Sequence, residues 1–220
     1  MDKRIRRDLN EKINFKILII TSIVCLLPII LGGLYYNQLP ESIAIHFDIN
    51  NNPDGYFSKP AFIFGMLVIM LAIQVFCCII NDVKDKNPEA NKKASNVFKW
   101  IIPILSIAMY SITIMYALGS SIDIRKIVMI MLGIMFIVIG NYTPKTKGSI
   151  YVKFRKVTNE NIRKNIARIS GYMLILNGIL SIMSILFNQI VSVAVIILVI
   201  IEIFVLYIYA IIKDGRGEKI

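Results

Sequence analysis

Six long apolar runs in one chain limit what it can become: Phe15 to Tyr36, Ala61 to Ile80, Phe98 to Gly119, Ile127 to Gly140, Ser170 to Phe187 and Ile190 to Ile212. Most are close to the roughly 17–25 residues with which a helix crosses a bilayer. A soluble domain holds about 45–50% apolar residues, whereas 56% of these 220 are hydrophobic and the mean hydropathy is +0.68. The expected fold is therefore an all-α polytopic membrane protein, a bundle of six transmembrane helices. The fourth run is the shortest, with Asp123, Arg125 and Lys126 at its start. It crosses if its helix begins near Ile122 and its basic side chains snorkel to the interface. The first run follows a basic segment but exceeds the roughly 7–15 apolar residues of a signal peptide and lacks an Ala-x-Ala ending, so it reads as an uncleaved helix.

Lys and Arg beside membrane spans are retained in the cytoplasm. Lys3, Arg4, Arg6, Arg7 and Lys12 precede the first run, and Lys84, Lys86, Lys92 and Lys93 lie between the second and third. A cluster from Lys145 to Arg168 lies between the fourth and fifth, and Lys213, Arg216 and Lys219 end the chain. The alternate connections hold only Lys59, then Arg125 and Lys126. Both termini are thus expected in the cytoplasm and residues 37–60 outside. The net charge of +11 follows from this topology rather than from direct nucleic-acid binding; membrane lipid is the expected partner. Cys25, Cys77 and Cys78 all lie in apolar runs and read as small buried side chains, without metal-ligand or disulfide spacing.

The outer connection is the most chemically varied. Ile43, Ile45, Phe47 and Ile49 alternate with Ala44, His46 and Asp48, the period of a half-buried strand. That pattern puts His46 and Asp48 on one polar face. Asn50 to Gly55 reads as a turn, Pro53 fixing one dihedral and Gly55 free to take positive φ. Asp48, Asn50, Asn52 and Asp54 have the spacing of calcium ligands, but Pro53 stands where that loop needs Gly and Lys59 where it needs Glu. One histidine with scattered carboxylates does not make a zinc site. The expectation is no metal and no cofactor, with His46, Asp48, Asp54 and Tyr56 forming a recognition element.

Leu39-Pro40, Ile43 with His46-Phe47, and Pro53-Asp54-Gly55-Tyr56 followed by Ser58-Lys59 resemble the extracytoplasmic signature of the SdpI-like family of bacterial membrane proteins. Gly140-Asn141-Tyr142, Pro144-Lys145 and Lys147 are similar to a second family segment, and Arg155, Arg163, Arg168 and Gly171 to its basic stretch before the fifth span. Asn51 stands where the family commonly has Gly, and Lys156-Val157-Thr158 where it often has Thr-Pro-Trp. The resemblance implies an immunity protein that protects the cell against a secreted antimicrobial peptide toxin. It also implies signalling, by recruitment of a small DNA-binding transcriptional repressor to the membrane. It divides the chain into an N-terminal module, 1–80, and an SdpI-like module, 81–220.

Two further features are separable from that resemblance. Glu202 lies mid-run in the sixth span, where an ionised carboxylate costs at least about 2.5 kcal/mol. A regular helix sets Val195, Leu198, Val199, Val205, Leu206 and Tyr209 beside it, so its partner must come from another helix; Gln74 and Asn177 are the candidates. Glu202 serves either to hold the bundle together or, in a rival function, as the site of a small proton- or cation-coupled transporter or channel. The inner loop at 141–169 is strongly basic. Ile150, Val152 and Phe154 alternate as an extended segment. After an N-cap at Thr158, Ile162, Ile166 and Ile169 form the apolar stripe of an amphipathic helix. Lys145, Lys147, Arg155, Arg163, Lys164 and Arg168 are then candidates for anionic lipid or a cytoplasmic partner. Pro28 and Pro103 can kink their spans, and Gly32-Gly33 allows close packing. No phosphate loop, H-E-x-x-H, nucleophile elbow or paired catalytic carboxylates occur, and the expectation is a protein that is not an enzyme.

Overall fold

The computed structural model describes residues 13–84, 88–145 and 159–217. Six helical segments within them are long and apolar enough to cross a membrane: Phe15–Leu34, Ala61–Val83, Asn91–Ala117, Ile124–Lys145, Glu160–Leu186 and Gln189–Lys213. The chain is a multi-pass membrane protein of the expected class, with a short strand-and-turn element between its first two spans. It folds as two compact units, Met1–Asp123 and Ile124–Ile220, so the third span packs with the first two.

In the first unit, α1 (Phe15–Leu26) and α2 (Ile29–Leu34) make one span broken at Pro28. A two-stranded antiparallel hairpin follows, β1 (Ser42–Phe47) and β2 (Pro53–Ser58). The second span opens after Pro60 with a π-helical turn, Ala61–Met66, and continues as α3 (Leu67–Lys84). The third is α4 (Pro88–Ala117), which runs through Pro103 without ending. Its outer end closes at Gly119, whose φ of +91° suits glycine. There Ser120 N–H donates to the Met115 carbonyl at 3.1 Å and Gly119 N–H to Tyr116 at 2.9 Å, a Schellman closure.

Proline has no N–H, so each internal proline leaves the carbonyl four residues earlier without its helical donor. At the first break the Val24 carbonyl takes the Leu27 N–H at 3.2 Å, and the Ser106 hydroxyl donates to the neighbouring Cys25 carbonyl at 3.0 Å. Pro103 frees the Lys99 carbonyl, which accepts from the Gln74 amide at 2.9 Å. The same amide nitrogen donates to the Thr21 hydroxyl at 2.8 Å. In the π turn the Tyr110 hydroxyl donates to the Ile63 carbonyl at 3.3 Å. Tyr110 occupies the space a Cβ on Gly32 would need, which explains that glycine; nothing lies within 4 Å of one on Gly33.

A buried ion pair joins the spans at the other end of this unit. Lys99 and Asp82, with side chains 2% and 8% exposed, bond to each other. The second Asp82 oxygen accepts the Asn14 backbone N–H at 3.0 Å, tying the start of α1 to α3 and α4. Both charges lie beside basic connections and read from sequence as end charges, which conceals the pair.

In the second unit, α5 (Ile124–Tyr142) ends in a 3-10 turn, Thr143–Lys145. Then come α6 (Glu160–Met183), a second 3-10 turn (Ser184–Leu186) and α7 (Gln189–Gly217). Helices α5 and α6 are antiparallel and meet through two glycine pairs seven residues apart. A Cβ on Gly133 would lie 2.7 Å from the Gly178 carbonyl oxygen, and one on Gly140 equally 2.7 Å from that of Gly171. Reciprocal positions are as tight, 2.6 Å for Gly178 against Gly133 and 2.8 Å for Gly171 against Gly140. Small residues let membrane helices approach this closely.

The separate amphipathic helix is not formed: α6 runs unbroken from Glu160 into the fifth span. Its N-cap is Asn159, whose side chain accepts from Asn161 and Ile162 N–H at 2.9 and 3.3 Å; Thr158 lies outside the described residues. Ile166 is buried against Ala210 of α7 with Ile162 beside it, whereas Ile169 is exposed. The Ile150–Phe154 extended segment, Lys147 and Arg155 also lie outside the described residues.

Removing one partner of a buried ion pair leaves the other charge uncompensated, at a cost of about 3–5 kcal/mol. Asp82→Ala is expected to destabilise the detergent-solubilised protein by that amount in thermal unfolding, and Asp82→Leu combined with Lys99→Met to recover most of the loss. Equal losses in both would show that the pair is not what holds this end of the unit.

Candidate functional site

The hairpin is anchored at its base and open at its tip. Leu39 and Ile43 are buried with Phe62, Ile63, Leu67, Tyr110 and Ile114 in one apolar cluster, and Ile45 and Phe57 pack against it. Burial of such a side chain is worth on the order of 1.5–3 kcal/mol. Phe62 stacks on Tyr110 with ring centroids 4.7 Å apart, and Phe47 meets Tyr116 edge-on at 4.8 Å. Lys59 closes the base: its ammonium lies 2.8 Å from Glu41 and 5.1 Å from the Tyr36 ring centroid, while its backbone N–H donates to the Glu41 carbonyl at 2.9 Å. The lysine is buried and the glutamate exposed.

Turn and register differ from the sequence expectation. The turn spans 48–52, not 50–55, and its positive φ belongs to Asn51 at 66°. Asparagine is among the few side chains that tolerate this region. Asp48 organises the turn. Its Oδ1 accepts from Asn50 N–H at 2.9 Å and Asn52 N–H at 2.7 Å, and its Oδ2 from the Asn52 side-chain amide at 3.2 Å. The Asn52 backbone bond, reinforced by the others, holds its carboxyl below the usual aspartate range. The Asn51 side chain donates to the Ile122 carbonyl at 3.3 Å, fastening the tip to the connection after α4.

Gly55 lies in β2 opposite His46, with no positive φ. A Cβ there would stand 2.8 Å from that of His46, so glycine is required by the close approach rather than by a turn. The register shifts on both sides of His46, and the strict alternation is lost: Ile43 and Ala44 are both buried, and Ile49 is exposed within the turn. A bulge re-aims a side chain in this way. His46 Nδ1 thereby pairs with Asp54 Oδ1 across the strands, not with Asp48. Tyr56 is 54% exposed, its hydroxyl donating to the Pro53 carbonyl at 3.3 Å. Of the four outer residues, His46, Asp54 and Tyr56 form an exposed polar and aromatic surface, and Asp48 shapes it. Glu41 and Lys59, which fix its base, are carried by a spacing across the hairpin that strand alternation does not reveal.

A second polar site lies in the second unit. Asn177 Nδ2 donates to Glu202 Oε2, so of the two candidate partners Asn177 is the one found; Gln74 belongs to the Thr21–Lys99 network of the first unit. The buried face of α7 carries Ser192, Val195, Val199, Leu206 and Ala210, whereas Leu198, Val205 and Tyr209 are exposed. Arg125, in the first turn of α5, reaches the start of α7. Its Nη1 donates to the Ser192 hydroxyl at 3.0 Å, which lies 3.1 Å from the Ser184 hydroxyl.

Among the basic candidates, Lys145 donates to Asn141 Oδ1 at 3.0 Å and lies 5.0 Å from the Tyr142 ring centroid. Lys164 pairs with Glu160 at 3.1 Å one helical turn away. Arg163 and Arg168 share that end of α6. Pro144 packs against Gly171, so the Gly140–Lys145 run closes the α5–α6 contact as well as presenting a cation.

Residues 23–71 match the family model of a domain of unknown function (DUF1648). The match takes in the Pro28 break, the whole hairpin and the π turn, well under half of the chain. No curated protein and no solved structure matches.

Because the folded-state value of Asp48 is depressed, its bonds stabilise the turn above the unfolded aspartate value of about 3.9 and are lost as pH falls through the lower folded value. Amide exchange at Asn50 and Asn52 is expected to stay slow from pH 7 to 4 after correction for intrinsic rate, and to lose protection only below that. Loss of protection between pH 6 and 5 would contradict the assignment.

Proposed function

We propose that this protein is a membrane immunity protein whose outer hairpin receives a secreted antimicrobial peptide. The observation that carries the proposal is the division of labour within residues 39–59. Leu39, Ile43 and Lys59 fix the base to three spans, while His46, Asp54 and Tyr56 stand exposed and Gly55 makes room for their arrangement. A rigid exposed tyrosine beside a polar pair provides contact area at small entropic cost. The positive-inside pattern places this surface outside, and the resemblance to the SdpI-like signature supplies the class of ligand.

On the cytoplasmic side, Lys145, Arg163, Lys164 and Arg168 form a basic collar at the ends of α5 and α6, with Lys147 and Arg155 in the connection between them. Anionic headgroups are its resting partner. Recruitment of a small DNA-binding repressor to the same collar is the signalling half of the proposal.

Survival in medium containing the secreted peptide tests the first half. A deletion strain is expected to be killed and rescued by the wild-type gene. His46→Ala with Asp54→Ala, and separately Tyr56→Ala, should lower the tolerated peptide concentration at least tenfold at unchanged membrane abundance. Full protection by both variants would overturn recognition at the hairpin.

A further inference from the structure

The second unit contains a buried polar row that the immunity reading does not use. From Arg125 Nη1 a hydrogen bond runs to the Ser192 hydroxyl at 3.0 Å, and Ser192 lies 3.1 Å from the Ser184 hydroxyl, which donates to the Ser181 carbonyl at 2.7 Å. With Ser184 donating onward, Ser192 is the donor to Ser184. The Ser181 hydroxyl, one helical turn nearer Asn177, is buried with no hydrogen-bond partner. Asn177 is 1% exposed and gives its Nδ2 to Glu202, while its Oδ1 is also buried with no partner. Residues 177, 181 and 184 share one face of α6 and its terminal turn, opposite the Ser192–Glu202 face of α7.

Two unpartnered buried polar atoms at the end of such a row are costly to keep. A two-state role accounts for both. An amide offers a donor and an acceptor on one group. Asn177 Nδ2 donates to an ionised Glu202 carboxylate; turned over, its Oδ1 accepts from the protonated acid and its Nδ2 is released to the side of the Ser181 hydroxyl, an acceptor one helical turn away. We propose that Glu202 is a reversible proton-binding site and that Asn177 is the positioning residue serving both protonation states. The balance is simple: one proton is bound or released at a Glu202 carboxylate oxygen and no other bond changes.

The ligand is a proton rather than a metal cation. The carboxylate is met by an N–H donor, which competes with a cation for the same oxygen, and among the described residues no group of three metal-ligating side chains occurs. In the apolar stretches of α5 (127–140), α6 (169–183) and α7 (190–212), Glu202 is the sole charged residue. Arg125 and Lys126 at one end, and Glu160, Arg163, Lys164 and Arg168 at the other, are the charged side chains that α5 and α6 bring to its surroundings.

Infrared difference spectroscopy of the full chain in liposomes tests this directly. A protonated-carboxyl band that appears and disappears with pH, and is missing in Glu202→Gln, is expected. Asn177→Leu removes the donor to the ionised form, which is the stronger of its two bonds, and should move the midpoint to higher pH by a tenfold or greater change in proton concentration. Absence of any Glu202-dependent band change while the protein stays folded overturns the proposal. So does a midpoint unaltered by Asn177→Leu, or a band that follows sodium concentration at constant pH.

Discussion

Within lipid no water is available to a backbone carbonyl that has lost its helical donor, so every interruption of a span must be repaired from inside the protein. The first unit interrupts all three of its spans, at Pro28, in the π turn after Pro60, and at Pro103. At each interruption a neighbouring helix donates, Ser106 to Cys25, Tyr110 to Ile63 and Gln74 to Lys99, while the Val24 carbonyl that Pro28 frees is taken by Leu27 of its own span. These bonds do more than restore stability. They fix the rotation of each span against the others, since each donor reaches one carbonyl and no other on that face.

The outer hairpin inherits its position from these repairs. Tyr110 lies against Gly32, bonds the π turn and stacks on Phe62, and that cluster is the floor on which Leu39 and Ile43 rest. With the base held, the bulges around His46 can turn the imidazole towards Asp54 without loosening the strands. Helix irregularity thus gives a rigid floor, the floor a fixed hairpin, and the hairpin an exposed polar and aromatic surface. The second unit is organised differently, by glycine pairs that bring α5 and α6 together and leave a polar row along the α6–α7 contact.

The spans were legible because length and apolarity alone select them. The hairpin was legible in kind, from alternation and the Asn-Pro-Asp-Gly composition, but not in register. Period-two reasoning assumes an unbroken ladder, and the bulges at His46 move Gly55 from the turn into the strand. Helical periodicity narrowed Glu202 to a face but misassigned Leu198, Val205 and Tyr209, because a span touching few neighbours buries a narrow stripe. Asn177 could be named as a candidate from polarity and depth, whereas the choice against Gln74 depends on which helices pack together. Lys99 with Asp82 was missed because charges at span ends look the same whether they face water or each other. The spacing of Gly133 and Gly140, matched by Gly171 and Gly178, was a usable signal for the α5–α6 contact.

The central claim is that a secreted peptide is received on the exposed face of the hairpin. A photo-crosslinking amino acid placed at Tyr56 in intact cells measures this most directly, with the lipid-facing Tyr172 as the comparison position. The account predicts a covalent adduct to the secreted peptide at position 56 and none at 172, in cells that remain protected. Protection retained with no adduct at 56, or with equal adducts at both positions, would contradict it.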